Sequence, residues 1–179
     1  MNISIMLTFH DDQSLNQLRK QFDPLYSKVP PHVTLVFPQH ITFESIDTII
    51  SEINKYGTHL ENFTPIVSHF EGDLEYHNIL AILKSDNSAI KVLHDKLYEI
   101  PEFADKQRLD IPYTPHVTIG RDLSADEIRR IVFNLSEALM SRLWTGFFGT
   151  ESCRTPKIFQ NPDFTLKRRD FWVFFVGGI

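Results

Sequence analysis

Pro31-His32-Val33-Thr34-Leu35 and Pro115-His116-Val117-Thr118-Ile119 are one pentapeptide, proline-histidine-valine-threonine-aliphatic, written once in each half of the chain. With 8 His in 179 residues, roughly 0.1 copies of His-apolar-Thr-apolar are expected by chance. Two copies, each behind a proline, are therefore a signal. The alternation of polar and apolar residues is that of a half-buried strand, with Val33, Leu35, Val117 and Ile119 facing the core. His32 and Thr34 then share the opposite face with Cα atoms about 6.5 Å apart, and His116 and Thr118 do the same. An imidazole beside a hydroxyl suits a phosphate, because the histidine handles a proton while the threonine donates to an oxygen. Proline ahead of each motif fits a strand start, where a missing N–H costs little.

Two such strands facing one another would put an imidazole on each side of one substrate, the layout that general acid–base chemistry needs. The duplicated motif resembles that of the two-histidine (2H) phosphoesterase superfamily, which includes the 2′-5′ RNA ligase-like proteins and cyclic nucleotide phosphodiesterases. The resemblance rests on the two motifs; the rest of the chain matches by element order. It implies an α+β fold of two pseudo-symmetric βαβ-type lobes whose mostly antiparallel sheets flank a central cleft. It also implies His32 and His116 as the catalytic pair and Thr34 and Thr118 as phosphate ligands. An arginine commonly stands in that family where Arg121 ends the second motif strand. Regular alternation turns Arg121 away from His116, however, and only a bend or bulge at Gly120 would return it. The first half differs, with Phe37 and Pro38 where a charged partner would stand.

The bulk properties narrow the function. A length of 179 residues fits one domain, 1–179, with a substantial core. The net charge of −5 argues against gripping long nucleic acid, which calls for a basic face. A small nucleotide or RNA-end phosphodiester needs only two or three local cations. The single cysteine, Cys153, excludes an internal disulfide and a cysteine-based zinc site. The first ten residues lack the basic start and long apolar run of a signal peptide, and no apolar run approaches 18 residues. A cytoplasmic monomer, away from membranes and without metal or other cofactor, is expected.

In chain order, residues 3–9 read as a strand. Asp11 and Asp12 are cap candidates for a helix bearing Leu15, Leu18 and Phe22, which Asp23-Pro24 ends. The first motif strand runs from His32 to Phe37 and Pro38 closes it. A helix of about 15 residues follows, with Ile46, Ile49, Ile50 and Ile53 on its core face. Strands 66–71 and 78–84 come next, the second unbroken in apolar residues and so central. A helix from about Ser88 carries Ile90, Leu93, Leu97 and Ile100, with His94 on its flank and Pro101 beyond its end. After the second motif strand, Ser124-x-x-Glu127 is a capping box opening a helix whose face is Ile128, Ile131, Val132, Leu135 and Leu139. From Trp144 onward the chain reads as strands, clearest at 171–176. Strand-helix-strand, repeated with local hairpins, makes an α+β domain of two similar lobes.

Neither Gly-x₄-Gly-Lys nor Gly-x-Gly-x-x-Gly occurs. The other six histidines (His10, His40, His59, His69, His77, His94) have no metal-ligand spacing and are assigned surface or packing roles. Tyr76, Tyr113 and Trp172 have faces that suit a nucleobase, but packing accounts for each more simply. The expected function is hydrolysis of a 2′,3′-cyclic phosphate or a related small RNA- or nucleotide-derived phosphodiester. The rivals are a 2′-5′ RNA ligase or 2′-5′ phosphodiesterase, and a non-catalytic module that binds cyclic phosphates or RNA ends.

Overall fold

A computed structural model describes residues 2–9, 13–42, 44, 46–57, 66–84, 88–145 and 170–176. The elements in order are β1 (Asn2–Thr8), α1 (Gln13–Phe22), β2 (His32–His40), α2 (Ile46–Gly57), β3 (Val67–Asp73), β4 (Asn78–Leu83), α3 (Ser88–Leu97), β5 (His116–Gly120), α4 (Ala125–Thr145) and β6 (Asp170–Val176). The strands form two antiparallel sheets, ordered β2-β1-β6 and β3-β4-β5. This is the expected α+β architecture. Each motif strand is the edge of its sheet, and β2 and β5 lie against one another where the sheets meet.

The helices are exchanged between the lobes. α1 precedes β2 in the chain but packs on β5, and α3 precedes β5 but packs on β2. Each lobe thus closes over the other's motif strand. The shared core runs through Ile3, Leu7, Leu15, Val33 and Leu35 to Ile79, Leu97, Val117 and Ile128, all buried. α4 lies across β3, where Gly72 leaves room for Ile128; a Cβ at Gly72 would collide with that side chain. The capping box opens α4 as expected: Ser124 N donates to Glu127 Oε2 at 2.9 Å, and Glu127 N returns to Ser124 Oγ at 3.3 Å.

Several sequence expectations are corrected. β2 does not stop at Pro38 but runs on to His40. It is an edge strand, and its register against β1 slips between the Ile5–Val36 and Ile3–Gln39 pairs, so the proline forfeits no ladder bond. α2 has 12 residues, and Ile50 is exposed while Ile49 and Ile53 are buried. α4 carries the chain as helix through Trp144, beyond the expected change to strand. β1 buries Ser4 and Thr8 as well as Ile3, Ile5 and Leu7, because β6 makes it the central strand. Ser4 is accommodated by donating to Val36 O at 2.8 Å. Asp11, Asp12, His10 and His59, and the side chain of Trp172, fall outside the described residues. Among the described residues no helix is long and apolar enough to cross a membrane.

Candidate functional site

The two motif strands are built alike, atom by atom. Each motif proline gives its carbonyl to the adjoining chain: Phe9 N donates to Pro31 O at 2.8 Å and Leu83 N to Pro115 O at 3.0 Å. Each histidine turns Nδ1 back onto the carbonyl two residues earlier. His32 Nδ1 is 2.9 Å from Pro30 O and His116 Nδ1 is 2.8 Å from Thr114 O. A carbonyl only accepts, so Nδ1 carries the hydrogen and the neutral ring keeps its lone pair on Nε2. Both rings are partly exposed. Among the described residues, no hydrogen bond engages the hydroxyl of Thr34 or Thr118.

Both strands also bulge at the same motif position. Thr34 pairs with Met6 and Val36 with Ile5, leaving Leu35 over. Thr118 pairs with Leu80 and Gly120 with Ile79, leaving Ile119 over. Exposure follows in step: histidine and threonine are partly exposed, valine is buried, and two consecutive buried residues mark the bulge. A bulge shifts the parity of everything after it. The fifth residue after each histidine, Phe37 in β2 and Arg121 just past β5, therefore returns to the histidine's face. The irregularity that recovers Arg121 sits at Ile119, one residue before the glycine where sequence reasoning placed it.

Tyr113 and His94 fasten the β2 bulge from the other lobe. Tyr113 Oη donates to Thr34 O at 2.8 Å, and His94 Nδ1 donates to Leu35 O at 2.7 Å. Their rings stack with centroids 3.6 Å apart and planes 5° from parallel. His94 is 4 % exposed and no surface flank; burial drives its pKa below the ordinary 6.5, against the opposing effect of the Leu35 bond. Tyr113 packs, and burial raises its phenol. Tyr76 is exposed in the turn between β3 and β4.

The sequence reading missed a charged cluster beside His32. Arg19, on α1, is 1 % exposed, and its Nε and Nη2 approach Asp23 Oδ2 at 3.0 and 2.9 Å. Asp23 Oδ1 accepts from Leu25 N at 2.9 Å and faces Arg121 Nε at 3.4 Å. Arg121 N donates to Phe22 O at 2.9 Å, tying the end of β5 to the end of α1. Burial is the main influence pushing the His32 pKa below 6.5. The Pro30 bond opposes it, Arg121 and then Arg19 add to it, and Asp23 opposes them. A faint signal was in the sequence. Arg19 stands one turn after Leu15, in the apolar stripe of α1, where an unpaired charge is not tolerated.

With the geometry in place, comparison with known proteins gives it a lineage. A family model described as the 2′-5′ RNA ligase superfamily matches residues 9–145. A provisionally named phosphoesterase of Oceanobacillus iheyensis is 32% identical over 120 residues, 67% of this chain and 69% of its own length. Provisionally named phosphoesterases of Bacillus licheniformis and Geobacillus kaustophilus are 27% identical over 117 residues and 30% identical over 112. Each of these two matches covers 63% of this chain, with 64% of the first relative and 63% of the second, so the chain spans a little under two thirds of their length. The match from Phe9 to Thr145 takes in both motif strands, both bulges and the exchanged helices, and the chain belongs to the 2′-5′ RNA ligase superfamily.

Proposed function

We propose that this protein is a metal-independent phosphoesterase that opens a 2′,3′-cyclic phosphate or a related small nucleotide-derived phosphodiester. The observation that carries the reading is the matched setting of His32 and His116. Each sits on an edge strand at the junction of the sheets, and each is fixed by a backbone carbonyl in the tautomer that leaves Nε2 available. Membership of the superfamily supports the class of chemistry.

In this reading His32 is the base for hydrolysis. Its neutral form is favoured by burial and by the guanidinium of Arg121, so at neutral pH its Nε2 accepts a proton from water. The water oxygen attacks phosphorus while the bond to one ribose oxygen breaks, and His116 Nε2–H protonates that departing oxygen. Thr34 and Thr118 donate to the non-bridging oxygens as their charge grows, and Arg121 supplies a cation on the same side. The two imidazoles carry both proton transfers, so the scheme calls for no metal. With a 5′-hydroxyl attacking in place of water and the bond to the 3′-oxygen breaking, the same step joins a 2′-5′ linkage, His32 taking the hydroxyl proton and His116 protonating the 3′-oxygen.

The test is incubation of the purified full chain with 2′,3′-cyclic nucleotides, 2′-5′ dinucleotides and cyclic-ended RNA in excess EDTA. Turnover of a cyclic phosphate in EDTA is expected. Loss of turnover in chelator with rescue by a divalent ion, or no turnover of any cyclic phosphate, overturns the reading.

A further inference from the structure

We propose that Arg19 and Asp23 are positioning residues that hold Arg121, from the second motif strand, as an anion receptor beside His32 of the first. The inference rests on the reading of the motif face as a phosphate site and says how that face acquires its cation.

The arrangement makes poor sense as a stabilising ion pair. One carboxylate serves two guanidiniums, so the cluster carries a net positive charge while Asp23 is 0 % exposed and Arg19 is 1 % exposed. Two buried nitrogens, Arg19 Nη1 and Arg121 Nε, lack a hydrogen-bond partner, a costly state that native structures seldom retain without a use. The two arginines also oppose each other, since the charge of Arg121 disfavours that of Arg19. An anion arriving at Arg121 relieves that excess.

The geometry shows how the parts divide the task. Arg19 grips Asp23 Oδ2 with two nitrogens of its guanidinium, which fixes the position of that oxygen. Leu25 N holds Oδ1, and Oδ1 is the oxygen turned to Arg121 Nε. Arg121 is also tied through its main chain to Phe22 O. Its side chain keeps 28 % exposure while Nε is buried, so that exposure lies elsewhere along the side chain. The bulge at Ile119 supplies the direction, because it puts Arg121 on the face of His116 and Thr118. Asp23 therefore orients the receptor and Arg19 orients Asp23; neither is a catalytic residue. The ligand class is a phosphate mono- or diester oxygen anion.

The experiment is a double-mutant cycle on the full chain, read as inorganic phosphate affinity by calorimetry and as KM and kcat on a 2′,3′-cyclic nucleotide. Asp23→Asn and Arg121→Gln should each weaken phosphate binding about tenfold or more and raise KM more than they lower kcat. In the Arg121→Gln background, Asp23→Asn should cost less than about twofold, because its effect acts through Arg121. Arg19→Lys, which keeps the charge but loses the two-nitrogen grip, should fall between parent and Asp23→Asn and serves if that variant does not fold. Independent, multiplying losses for Asp23→Asn and Arg121→Gln, or an Arg19→Lys variant with parental phosphate affinity and KM, overturn the proposal. If the parent turns over no cyclic phosphate but phosphate binding shows the coupling, the reaction assigned above is wrong and the receptor stands.

Discussion

The two motif strands share a backbone and part company five residues after the histidine. Proline carbonyl, Nδ1 bond, threonine and bulge recur in β2 and β5 with matching partners and exposure. At the next position on the same face, β2 has Phe37, 44 % exposed, whereas Arg121 stands just past the end of β5. Duplication thus preserves the device that aims an Nε2, and divergence sets the surroundings of each ring. Arg121 and Arg19 act electrostatically on His32, the histidine of the opposite strand. In the proposed reaction a symmetric pair of imidazoles would have no assigned direction of proton flow. Burial first, and then the charge of Arg121, disfavours the imidazolium of His32 and breaks that symmetry.

The strongest challenge to this comparison is to remove one half of the pair. If His32 and His116 are base and acid, His32→Ala or His116→Ala should each lower kcat by roughly 10²–10⁴ with the fold intact. The double variant should lose less than the product of the two, since groups acting as a unit are not additive. A folded single variant with near-parental kcat/KM on a cyclic phosphate would end the two-histidine reading. The threonines come next in size. Thr34→Val and Thr118→Val keep shape and strand preference but remove a donor to charged oxygen, and each should cost about 1.5–3 kcal/mol of transition-state stabilisation. Steady-state kinetics decide this, and an unchanged kcat/KM in both would remove the hydroxyls from the scheme.

Gly120 tests the bulge itself, through stability rather than rate. A Cβ there would stand 2.9 Å from Leu123 Cδ1 and 3.3 Å from Phe22 Cβ. The leucine tip can move, whereas Phe22 ends α1 and bonds through its carbonyl to Arg121 N. Gly120→Ala should cost about 1–3 kcal/mol, the scale of overpacking, seen as a lower midpoint in denaturant. A variant as stable as the parent would show that β5 has slack at this join.

What the sequence disclosed and what it withheld divide along physical lines. Features written in local periodicity were legible: the motif strands, the capping box at Ser124 and the buried faces of α3 and α4. The α+β class followed from their order. The bulges were not legible, because one extra residue changes register without changing composition, and both Leu35 and Ile119 are ordinary core residues. Pro38 looked like a stop because an edge position cannot be known before the sheet is assembled. The Arg19–Asp23–Arg121 cluster joins α1 to the end of β5 across most of the chain. No local pattern reports such a contact.

The smallest expected effect is the one most specific to the asymmetry. In the free protein the His32 pKa lies below 6.5, first because of burial and then, among the charges, because of Arg121. A general base must be neutral, so kcat/KM should rise with pH through the His32 pKa, and its ascending limb should lie below 6.5. The neutral form is favoured in the folded chain, so the unfolded chain binds the extra proton first. The stability held in His32 is therefore present above its unfolded pKa and lost as pH falls below about 6.5. Arg121→Gln removes a positive charge that disfavours imidazolium, so the ascending limb of residual activity should move to higher pH. Measuring kcat/KM against pH for parent and variant, with the His32 ring followed by proton NMR, checks both statements. If the limb and the ring resonance titrate unchanged in Arg121→Gln, Arg121 does not act on His32, and the direction of proton flow must be set from elsewhere.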